Sequence, residues 1–238
     1  MKTCICLPTY NERDNLEPML RALGDVLEPS SRVVVIDDAS PDGTGGLADR
    51  LASELAFVDV LHRTSKEGLG RAYLAGFRRA LAAGAELILE MDCDFSHDPA
   101  DVPRLVAAAD NADLVLGSRY VEGGSIGNWG VGRRVVSAAG SWYARVLLGV
   151  PIRDLTGGFK CYRRVVLERI DLDSISSLGY AFQIETTFRA LCAGFRVVEV
   201  PIAFVDREVG ASKMNRRIVL EAAWKVPALR FRALTGRL

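Results

Sequence analysis

The sequence predicts an α/β protein with a mostly parallel sheet that is flanked by helices on both faces. Short apolar runs alternate with amphipathic stretches through the first half of the chain, which is typical of strands and helices that follow each other in turn. The apolar runs are nearly continuous, as expected for strands that are buried on both faces. The length of 238 residues is enough for one domain of this class.

The first half contains five predicted strands, each an apolar run bounded by turn residues. They occupy residues 3–7, 32–36, 58–61, 87–91 and 114–117. Four helices are predicted from apolar residues at helical spacing, over residues 13–27, 44–56, 69–83 and 99–109. We expect Asp98 to be the N-cap of the last helix, with Pro99 at its first helical position.

The second half is less regular. Residues 123–127 and 154–158 are predicted loops because of their glycines, and residues 133–148 and 183–192 are predicted helices. A strand is expected over residues 196–200, and an edge strand or turn over residues 201–206. From residue 215 a basic amphipathic helix is predicted, which Pro227 should kink or break. We therefore expect one domain over residues 1–214 and a C-terminal extension over residues 215–238.

The composition is that of an ordinary globular protein, and the formal net charge is zero. This balance gives no reason to expect nucleic acid as a partner. Residues 207–238 are nevertheless basic, with eight Lys and Arg against two Glu. The five cysteines are scattered and odd in number, which argues against a disulfide framework or a zinc site and favours a reducing cytosolic compartment. We expect neither a signal peptide nor a transmembrane helix.

Two carboxylates, Asp92 and Asp94, flank one residue where the fourth predicted strand ends. If the extended geometry continues, both side chains project to the same side. Oxygen ligands of this kind suit a hard divalent cation such as Mg²⁺ or Mn²⁺, which can share its other positions with phosphate oxygens. The alternative is that these residues only cap the helix that follows.

Other polar residues follow the ends of neighbouring strands, where ligands of parallel sheets bind. The first strand is followed by residues 8–12, the second by residues 37–43 and the fifth by residues 117–120. Acids, an arginine and an aromatic side chain therefore gather at one edge of the predicted sheet.

These segments carry a family resemblance. Pro8-Thr9-Tyr10-Asn11-Glu12, Asp37-Asp38-Ala39-Ser40-Pro41-Asp42-Gly43-Thr44 and Met91-Asp92-Cys93-Asp94-Phe95-Ser96-His97 resemble family-2 glycosyltransferases of the Rossmann-like GT-A fold. Gly117-Ser118-Arg119-Tyr120, Asp154-Leu155-Thr156-Gly157-Gly158-Phe159 and the segment over residues 204–214 are similar to dolichol- or polyprenol-phosphate mannose synthases. The resemblance spans residues 3 to about 220, and it is to the short members without transmembrane helices.

The resemblance implies mannose transfer from GDP-mannose to a dolichyl or polyprenyl monophosphate, with inversion and with Mg²⁺ or Mn²⁺. The implied metal ligands are Asp92 and Asp94; Ser96 stands where some relatives carry a third ligand, Gln. The implied donor site consists of Pro8, Tyr10, Glu12, Ile36, Asp38, Met91, Asp92, Cys93, Asp94, Gln183, Arg207 and Lys213. The implied catalytic residues are Asp94, Arg119, Arg133, Ser137 and Arg207. Glu185 is a further candidate for a sugar contact.

The acceptor phosphate needs cations rather than a general base, because its second pKa is near 6 and it is largely dianionic at neutral pH. Arg119 and Arg133 are the candidates, with Ser137 on the same helix face as Arg133. On pattern alone, the polar stripe of Arg133, Ser137, Ser141 and Arg145 is equally typical of a solvated surface. In the same way, Arg207 and Lys213 alone would be typical of an exposed basic loop. We expect no catalytic role for His62 or His97.

A lipid-linked acceptor implies contact with a membrane surface. The basic C-terminal segment and the helix around Trp142 are the candidates, and packing of the segment on the protein's own core is the alternative. We expect a peripheral protein on the cytoplasmic face of a membrane, alone or with a membrane-anchoring partner subunit. Two rival functions remain at this point: the same reaction with UDP-glucose or another sugar nucleotide, and a non-catalytic subunit that binds a sugar nucleotide.

Overall fold

The computed structural model describes residues 1–177, 179–206, 216–236 and 238, with side chains for all of these except Arg133 and residues 216–222. The strands are β1 (Thr3–Thr9), β2 (Arg32–Asp37), β3 (Val58–His62), β4 (Leu87–Glu90), β5 (Leu114–Ser118), β6 (Ser125–Ile126), β7 (Lys160–Arg163), β8 (Val197–Pro201) and β9 (Ala203–Phe204). The α-helices are α1 (Arg13–Val26), α2 (Thr44–Glu54), α3 (Leu69–Ala82), α4 (Val102–Ala108), α5 (Val131–Leu148), α6 (Arg164–Arg169), α7 (Gly179–Cys192) and α8 (Arg216–Leu234).

The main sheet of the described residues has seven strands in the order β3-β2-β1-β4-β7-β5-β8. Neighbours are parallel except at β7, which runs antiparallel to both β4 and β5. The predicted α/β class with a mostly parallel sheet is therefore confirmed. Strand β7 was not predicted from the sequence, because its Lys160 and Arg163 interrupt the apolar pattern that marks a buried strand.

Helices cover both faces of the sheet, and each face has its own apolar core. One core includes residues of α3, α5, α7 and α8, and the other includes residues of α1, α2 and α4. Cys4 and Cys6 lie in the first core. Val226 and Leu229 of α8 are buried in the same core, so the described part of the C-terminal helix packs on the domain. The domain boundary that we placed at residue 215 stays a prediction.

Most predicted elements are found within a few residues of their expected bounds. Asp98 caps the turn that begins at Pro99, and its side chain accepts a hydrogen bond from the Ala100 N–H (2.9 Å). One expectation is wrong, since the predicted loop at residues 123–127 contains β6, which pairs with β9. Pro227 does not break α8, and the kink expected there stays a prediction. Packing of Val226 and Leu229 on either side of this proline supports the helix across the missing hydrogen bond.

Candidate active site

The carboxyl ends of β1, β2 and β4 lie side by side, and they bring the predicted donor residues together. Pro8 of β1 is the register partner of Ile36 of β2, and the Met91 N–H donates to the Cys6 carbonyl oxygen (3.3 Å). The side chains of Ile36, Met91 and Cys93 are buried in the core. These three residues can therefore meet a ligand chiefly through their main chain.

Asp38 is nearly buried and already has a charged partner. Its main-chain N–H donates to the Thr9 carbonyl oxygen (3.0 Å), and its carboxylate accepts a hydrogen bond from Arg63. Burial raises the pKa of Asp38, although Arg63 acts in the opposite direction. Arg63 also donates to Glu67. Arg63 was not predicted from the sequence, because only pairing of β2 with β3 brings it next to Asp38.

Tyr10 and Glu12 line the same end of β1. The Lys66 ammonium lies 3.6 Å from the centroid of the Tyr10 ring, a cation–π contact that places a positive charge at the predicted nucleotide pocket. Glu12 begins α1: its carboxylate accepts a hydrogen bond from Asn15 Nδ2 (2.8 Å) and its N–H donates to Thr44 Oγ1 (3.1 Å). Glu12 is therefore at least a structural residue of the turn between β1 and α1.

Neutral side chains contact both aspartates of the turn after β4. Asp92 Oδ1 accepts a hydrogen bond from the Tyr73 hydroxyl (3.0 Å), and the Asp92 N–H donates to His97 Nδ1 (3.3 Å). Asp94 Oδ1 accepts hydrogen bonds from the Ser96 N–H (3.1 Å) and the Ser96 hydroxyl (2.5 Å). Ser96, the predicted third metal ligand, thus orients Asp94 in this structure. The two carboxylates come from one tight turn, and such oxygen donors fit Mg²⁺ or Mn²⁺.

His97 connects this turn to two aromatic side chains of the core. Its ring stacks on Phe159 at a centroid distance of 5.0 Å and meets the edge of Phe204 at 5.4 Å. Burial lowers the pKa of His97 to about 4, so the imidazole is neutral at physiological pH. A neutral ring that accepts at Nδ1 carries its hydrogen on Nε2. We assigned His97 no catalytic role, and its contacts show a supporting role that sequence spacing did not reveal.

Arg119, predicted to bind the acceptor phosphate, is buried at the end of β5 with a carboxylate partner. Its Nε and Nη2 each donate to Asp154 (both 2.7 Å), and Nη2 also donates to Thr156 Oγ1 (2.9 Å). Burial acts to lower the pKa of Arg119, but Asp154 outweighs it and the pKa rises above its usual value. The guanidinium therefore fixes the loop at residues 154–158, and its predicted contact with phosphate stays a prediction.

The two serines of the polar stripe on α5 are turned toward the protein. The Ser137 hydroxyl accepts a hydrogen bond from the Tyr120 hydroxyl (2.9 Å), and the buried Ser141 bonds to Thr156 (3.1 Å). Reading this whole stripe as a solvated surface is therefore wrong at Ser141, although Arg145 is exposed as expected. The side chain of Arg133 lies outside the described residues, and so do Arg207 and Lys213.

Gln183 and Glu185, the candidates for sugar contacts, are both buried in α7. The Glu185 carboxylate accepts hydrogen bonds from Ser177 and from Arg189 (2.7 and 2.9 Å), so it ties α7 to the segment before it. These contacts give no support to a sugar contact by Glu185. Gln183 differs, since its side-chain amide lies against Glu90, where a hydrogen bond from the amide counteracts the rise that burial gives to the pKa of Glu90.

Two buried ionisable residues, Lys160 and Glu90, lie next to Gln183. Lys160 Nζ donates to the Gln183 carbonyl oxygen (2.8 Å), and Glu90, its register partner on β4, accepts a hydrogen bond from the Tyr162 hydroxyl (2.6 Å). Burial lowers the pKa of Lys160 to about 8 and raises the pKa of Glu90. Neither residue was predicted from the sequence, because their proximity depends on β7.

Comparison with known proteins identifies the class of this site. Residues 4–171, more than half of the chain, match the family described as Glycosyl transferase family 2. The chain belongs to this family.

Two relatives of this glycosyltransferase match nearly the whole chain. It is 50% identical over 242 residues to an undecaprenyl-phosphate mannosyltransferase of Micrococcus luteus, covering 100% of this chain and 99% of the relative. It is 51% identical over 227 residues to a polyprenol monophosphomannose synthase of Mycolicibacterium smegmatis, covering 94% of this chain and 85% of the relative. The resemblance that the motifs indicated is confirmed.

Solved structures share the fold of this glycosyltransferase. A mannosyltransferase of Pyrobaculum calidifontis in complex with GDP-mannose and Mn²⁺ aligns with a TM-score of 0.58 at 17% identity, covering 99% of this chain and 74% of that one. A glucosyl-3-phosphoglycerate synthase of Mycobacterium tuberculosis, in complex with Mn²⁺, UDP-glucose and phosphoglyceric acid, aligns with a TM-score of 0.69 at 18% identity, covering 94% and 79%. These similarities confirm the GT-A type of fold.

Proposed function

We propose that this family-2 glycosyltransferase transfers mannose from GDP-mannose to a polyprenyl monophosphate, with inversion at the sugar. The observation that carries the proposal is the match of nearly the full chain, at about half identity, to two relatives named for mannose transfer to polyprenyl phosphates. The site supports this function, because Asp92 and Asp94, Asp38 and Arg119 all follow strand ends at the carboxyl edge of the sheet. Asp38 and Tyr10 would hold the nucleoside.

Asp92 and Asp94 would hold Mg²⁺ or Mn²⁺ together with the donor's phosphates. When bound, such a cation neutralises charge on the departing nucleoside diphosphate. The acceptor phosphate oxygen forms a bond to the anomeric carbon while the bond from that carbon to the diphosphate breaks. The acceptor is largely dianionic at neutral pH, so this chain needs to position it rather than deprotonate it. Ser137, Arg119, Arg133 and Arg207 are the residues proposed for that task, and Lys213 is proposed for the diphosphate.

The test is transfer of radiolabelled sugar into an organic-extractable lipid. GDP-mannose and UDP-glucose would be supplied separately, each with a polyprenyl phosphate and Mg²⁺ or Mn²⁺. We expect label from GDP-mannose, with a loss of about a hundredfold or more in Asp94→Ala because a metal ligand is removed. Asp98→Ala is the matched control: it removes a nearby carboxylate that only caps a helical turn.

Other outcomes would contradict the proposal. Label from UDP-glucose alone would keep the mechanism and replace the donor. Label that Asp94→Ala leaves unchanged would remove the metal site from the mechanism. No label from either donor, in wild-type protein that binds GDP-mannose, would favour a binding subunit.

We further propose that the protein docks on the membrane through an exposed apolar surface on α5 and α8. This surface, the α5–α8 apolar surface, consists of Val135, Trp142, Val146, Trp224, Phe231 and Leu234. The two helices are joined by a hydrogen bond from the Tyr143 hydroxyl to the Ala223 carbonyl oxygen (3.0 Å). Trp142 is 65% exposed and Trp224 is 78% exposed. Large apolar side chains that are exposed together commonly mark a surface that contacts a partner or a membrane.

Charge and position favour a bilayer as the occupant. Exposed Arg145 and Arg232 lie on the same two helices, and a basic apolar helix face binds anionic lipid headgroups. Ser137, proposed for the acceptor phosphate, lies on the inner side of α5, so a lipid-linked phosphate would reach it from this surface. No helix within the described residues is long and apolar enough to cross a membrane. Binding to the cytoplasmic face as a peripheral protein is therefore the arrangement that we propose.

Docking is tested by cosedimentation with vesicles that contain anionic phospholipid. We expect Trp142→Ser together with Trp224→Ser to weaken binding roughly tenfold or more, because two exposed indoles no longer insert. Val165→Ser is the control, since Val165 is exposed on α6, outside this surface. Unchanged binding of the double variant would contradict the proposal, and so would binding that requires an added membrane subunit.

A further inference from the structure

A cavity lies at the amino edge of the main sheet, where β1 and β2 begin and α3 ends. Its volume is about 240 Å³. Its apolar floor consists of Cys4 and Val34 from the two strands and Ala85 from the segment after α3, and all three are buried. Asp92 and Asp94 follow the opposite end of β4, which is parallel to β1, so the cavity is separate from the candidate active site.

The cavity is large enough for one small molecule. An apolar cavity of about 150 Å³ can hold benzene, and pockets for drug-sized ligands measure roughly 300–1,000 Å³. A volume of about 240 Å³ therefore suits a single ring or a short hydrocarbon chain that carries one polar group. The apolar floor favours burial of the hydrocarbon part of such a molecule.

Two positive charges line the same cavity. Lys2 and Arg32 are both exposed, and the salt bridges found within the described residues include neither of them. The Arg32 guanidinium donates to the Ser31 carbonyl oxygen (2.9 Å), and the Lys2 ammonium donates to the Ala83 carbonyl oxygen at the end of α3. An ammonium has three hydrogens and a guanidinium has five, so both side chains keep donors for a ligand.

The acids at this place already accept hydrogen bonds. Asp59 lines the cavity from β3, and its carboxylate accepts from Arg79 Nε (2.7 Å) and Nη2 (3.0 Å). Glu86 Oε2 accepts a hydrogen bond from the main-chain N–H of Lys2 (2.9 Å). Lys2, Arg32 and Arg79 outnumber these two acids, so the local charge favours an anion over a cation.

We infer that this cavity binds a small apolar anion, an aromatic or short-chain carboxylate, with its hydrocarbon part on the apolar floor and its charge beside Lys2 and Arg32. The inference goes beyond the proposed function and does not depend on it. The ligand would contact the end of α3, the helix that also carries Tyr73, whose hydroxyl donates to Asp92. It would therefore occupy one end of a helix that reaches the candidate active site at another turn.

The experiment is a titration of the wild-type protein with benzoate, followed through the chemical shifts of the main-chain amides. We expect the shift changes to centre on the start of β1, the start of β2 and the end of α3. The dissociation constant should be on the order of 1 mM, which is usual for a ligand of this size. Benzamide, a neutral molecule of the same shape, should bind about tenfold more weakly because it lacks the charge.

Variants at exposed positions test the two parts of the cavity separately. Arg32→Met and Lys2→Met should each weaken benzoate binding roughly 3- to 10-fold, because each removes one charge-assisted contact. Arg153→Met is the control for charge, since Arg153 is exposed and outside the cavity. Ala83→Leu should block the cavity, and Ala82→Leu is its matched control, because Ala82 is also exposed at the end of α3 but does not line the cavity.

Three results would overturn the inference. Equal affinities for benzoate and benzamide would show an apolar cavity that does not select anions. Shift changes centred elsewhere, or none at millimolar benzoate, would show that the cavity takes no such ligand. Benzoate binding that Ala83→Leu leaves unchanged would place the ligand outside the cavity. None of these results bears on the proposed function, because the titration uses no sugar nucleotide and no lipid.

Discussion

At the scale of single residues, neutral side chains contact and orient the carboxylates of the aspartate turn. Tyr73 donates to Asp92, His97 accepts the Asp92 N–H and Ser96 donates to Asp94. Burial, reinforced by Asp92, raises the pKa of Tyr73 well above its usual value, so its hydroxyl remains a donor. These hydrogen bonds set the direction of the carboxylates, and carboxylate oxygens are ligands that suit a divalent cation.

Tyr73→Phe should weaken Mn²⁺ binding about tenfold, because the ligand Asp92 loses the group that orients it. The phenylalanine ring keeps the stacking on Phe77 and Phe182, so the fold should be retained. The measurement is calorimetric titration of Mn²⁺ into the protein in the presence of GDP, which gives the affinity for Mn²⁺. Tyr143→Phe is the control, because it removes a hydroxyl that joins α5 to α8. Equal Mn²⁺ affinities of the two variants would contradict a role of Tyr73 in metal binding.

The buried His97 predicts a dependence of stability on pH. Its pKa is about 4 in the folded protein and 6.5 when unperturbed, so between these values the unfolded chain binds the extra proton. The free energy of unfolding should therefore fall as the pH falls through this window, by about 3 kcal/mol at most. Denaturant unfolding of wild type and His97→Phe at several pH values measures this fall in the free energy of unfolding. A decline of the same size in both proteins would exclude His97 as its source.

At the scale of elements, the Arg119–Asp154 pair joins the end of β5 to the loop that precedes β7. Both side chains are buried, and the pair spans 35 residues of sequence. The aromatic rings of Tyr120, Trp129 and Phe204 surround the guanidinium at 5.3 to 5.7 Å. This pair places Gly158 next to Gln183, so the position of the loop is part of the site.

Asp154→Asn should destabilise the fold by about 3–5 kcal/mol, because it leaves the Arg119 charge buried without its counter-ion. The measurement is denaturant unfolding at neutral pH. Asp173→Asn makes the same change in an exposed ion pair with Arg78 and should cost at most about 1 kcal/mol. Similar losses in the two variants would mean that burial of the Arg119 pair has little energetic effect.

At the scale of the whole molecule, the C-terminal helix is both part of the core and part of the exposed surface. Val226 and Leu229 are buried against α5 and α7, whereas Trp224, Phe231 and Leu234 are exposed. Deletion of this helix would remove core contacts as well as the proposed membrane contact. Substitutions on its exposed face therefore test docking more cleanly than truncation does.

Leu229→Ala should lower the free energy of unfolding by about 2–5 kcal/mol, because it leaves a cavity in the core. Leu234→Ala, the same change at an exposed position of α8, should stay within about 0.5 kcal/mol of wild type. Thermal and denaturant unfolding of both variants measure the difference. Indistinguishable stabilities would mean that α8 is not docked on the core in solution.

Much of the fold and the position of the site could be predicted from the sequence. Apolar periodicity is a property of consecutive residues, so it located β1 to β5 and the helices between them to within a few residues. The end of β4 then placed Asp92 and Asp94, and the neighbouring strand ends placed Pro8 and Asp38. The roles of Arg133, Arg207 and Lys213 stay predictions of the family resemblance.

The sequence by itself determined the class of the sheet, the aspartate turn and the family, because each is encoded in a short stretch of neighbouring residues. Only the tertiary structure decided which distant groups meet: Tyr73 with Asp92, Arg119 with Asp154, and Gly158 with Gln183. The first pairing depends on α3 packing beside β4. The other two depend on β7 lying between β4 and β5, and the charged residues of β7 hide it from any pattern of hydrophobicity. A buried polar group is stabilised by whichever partner the fold brings to it, and strand order, rather than local sequence, sets that partner.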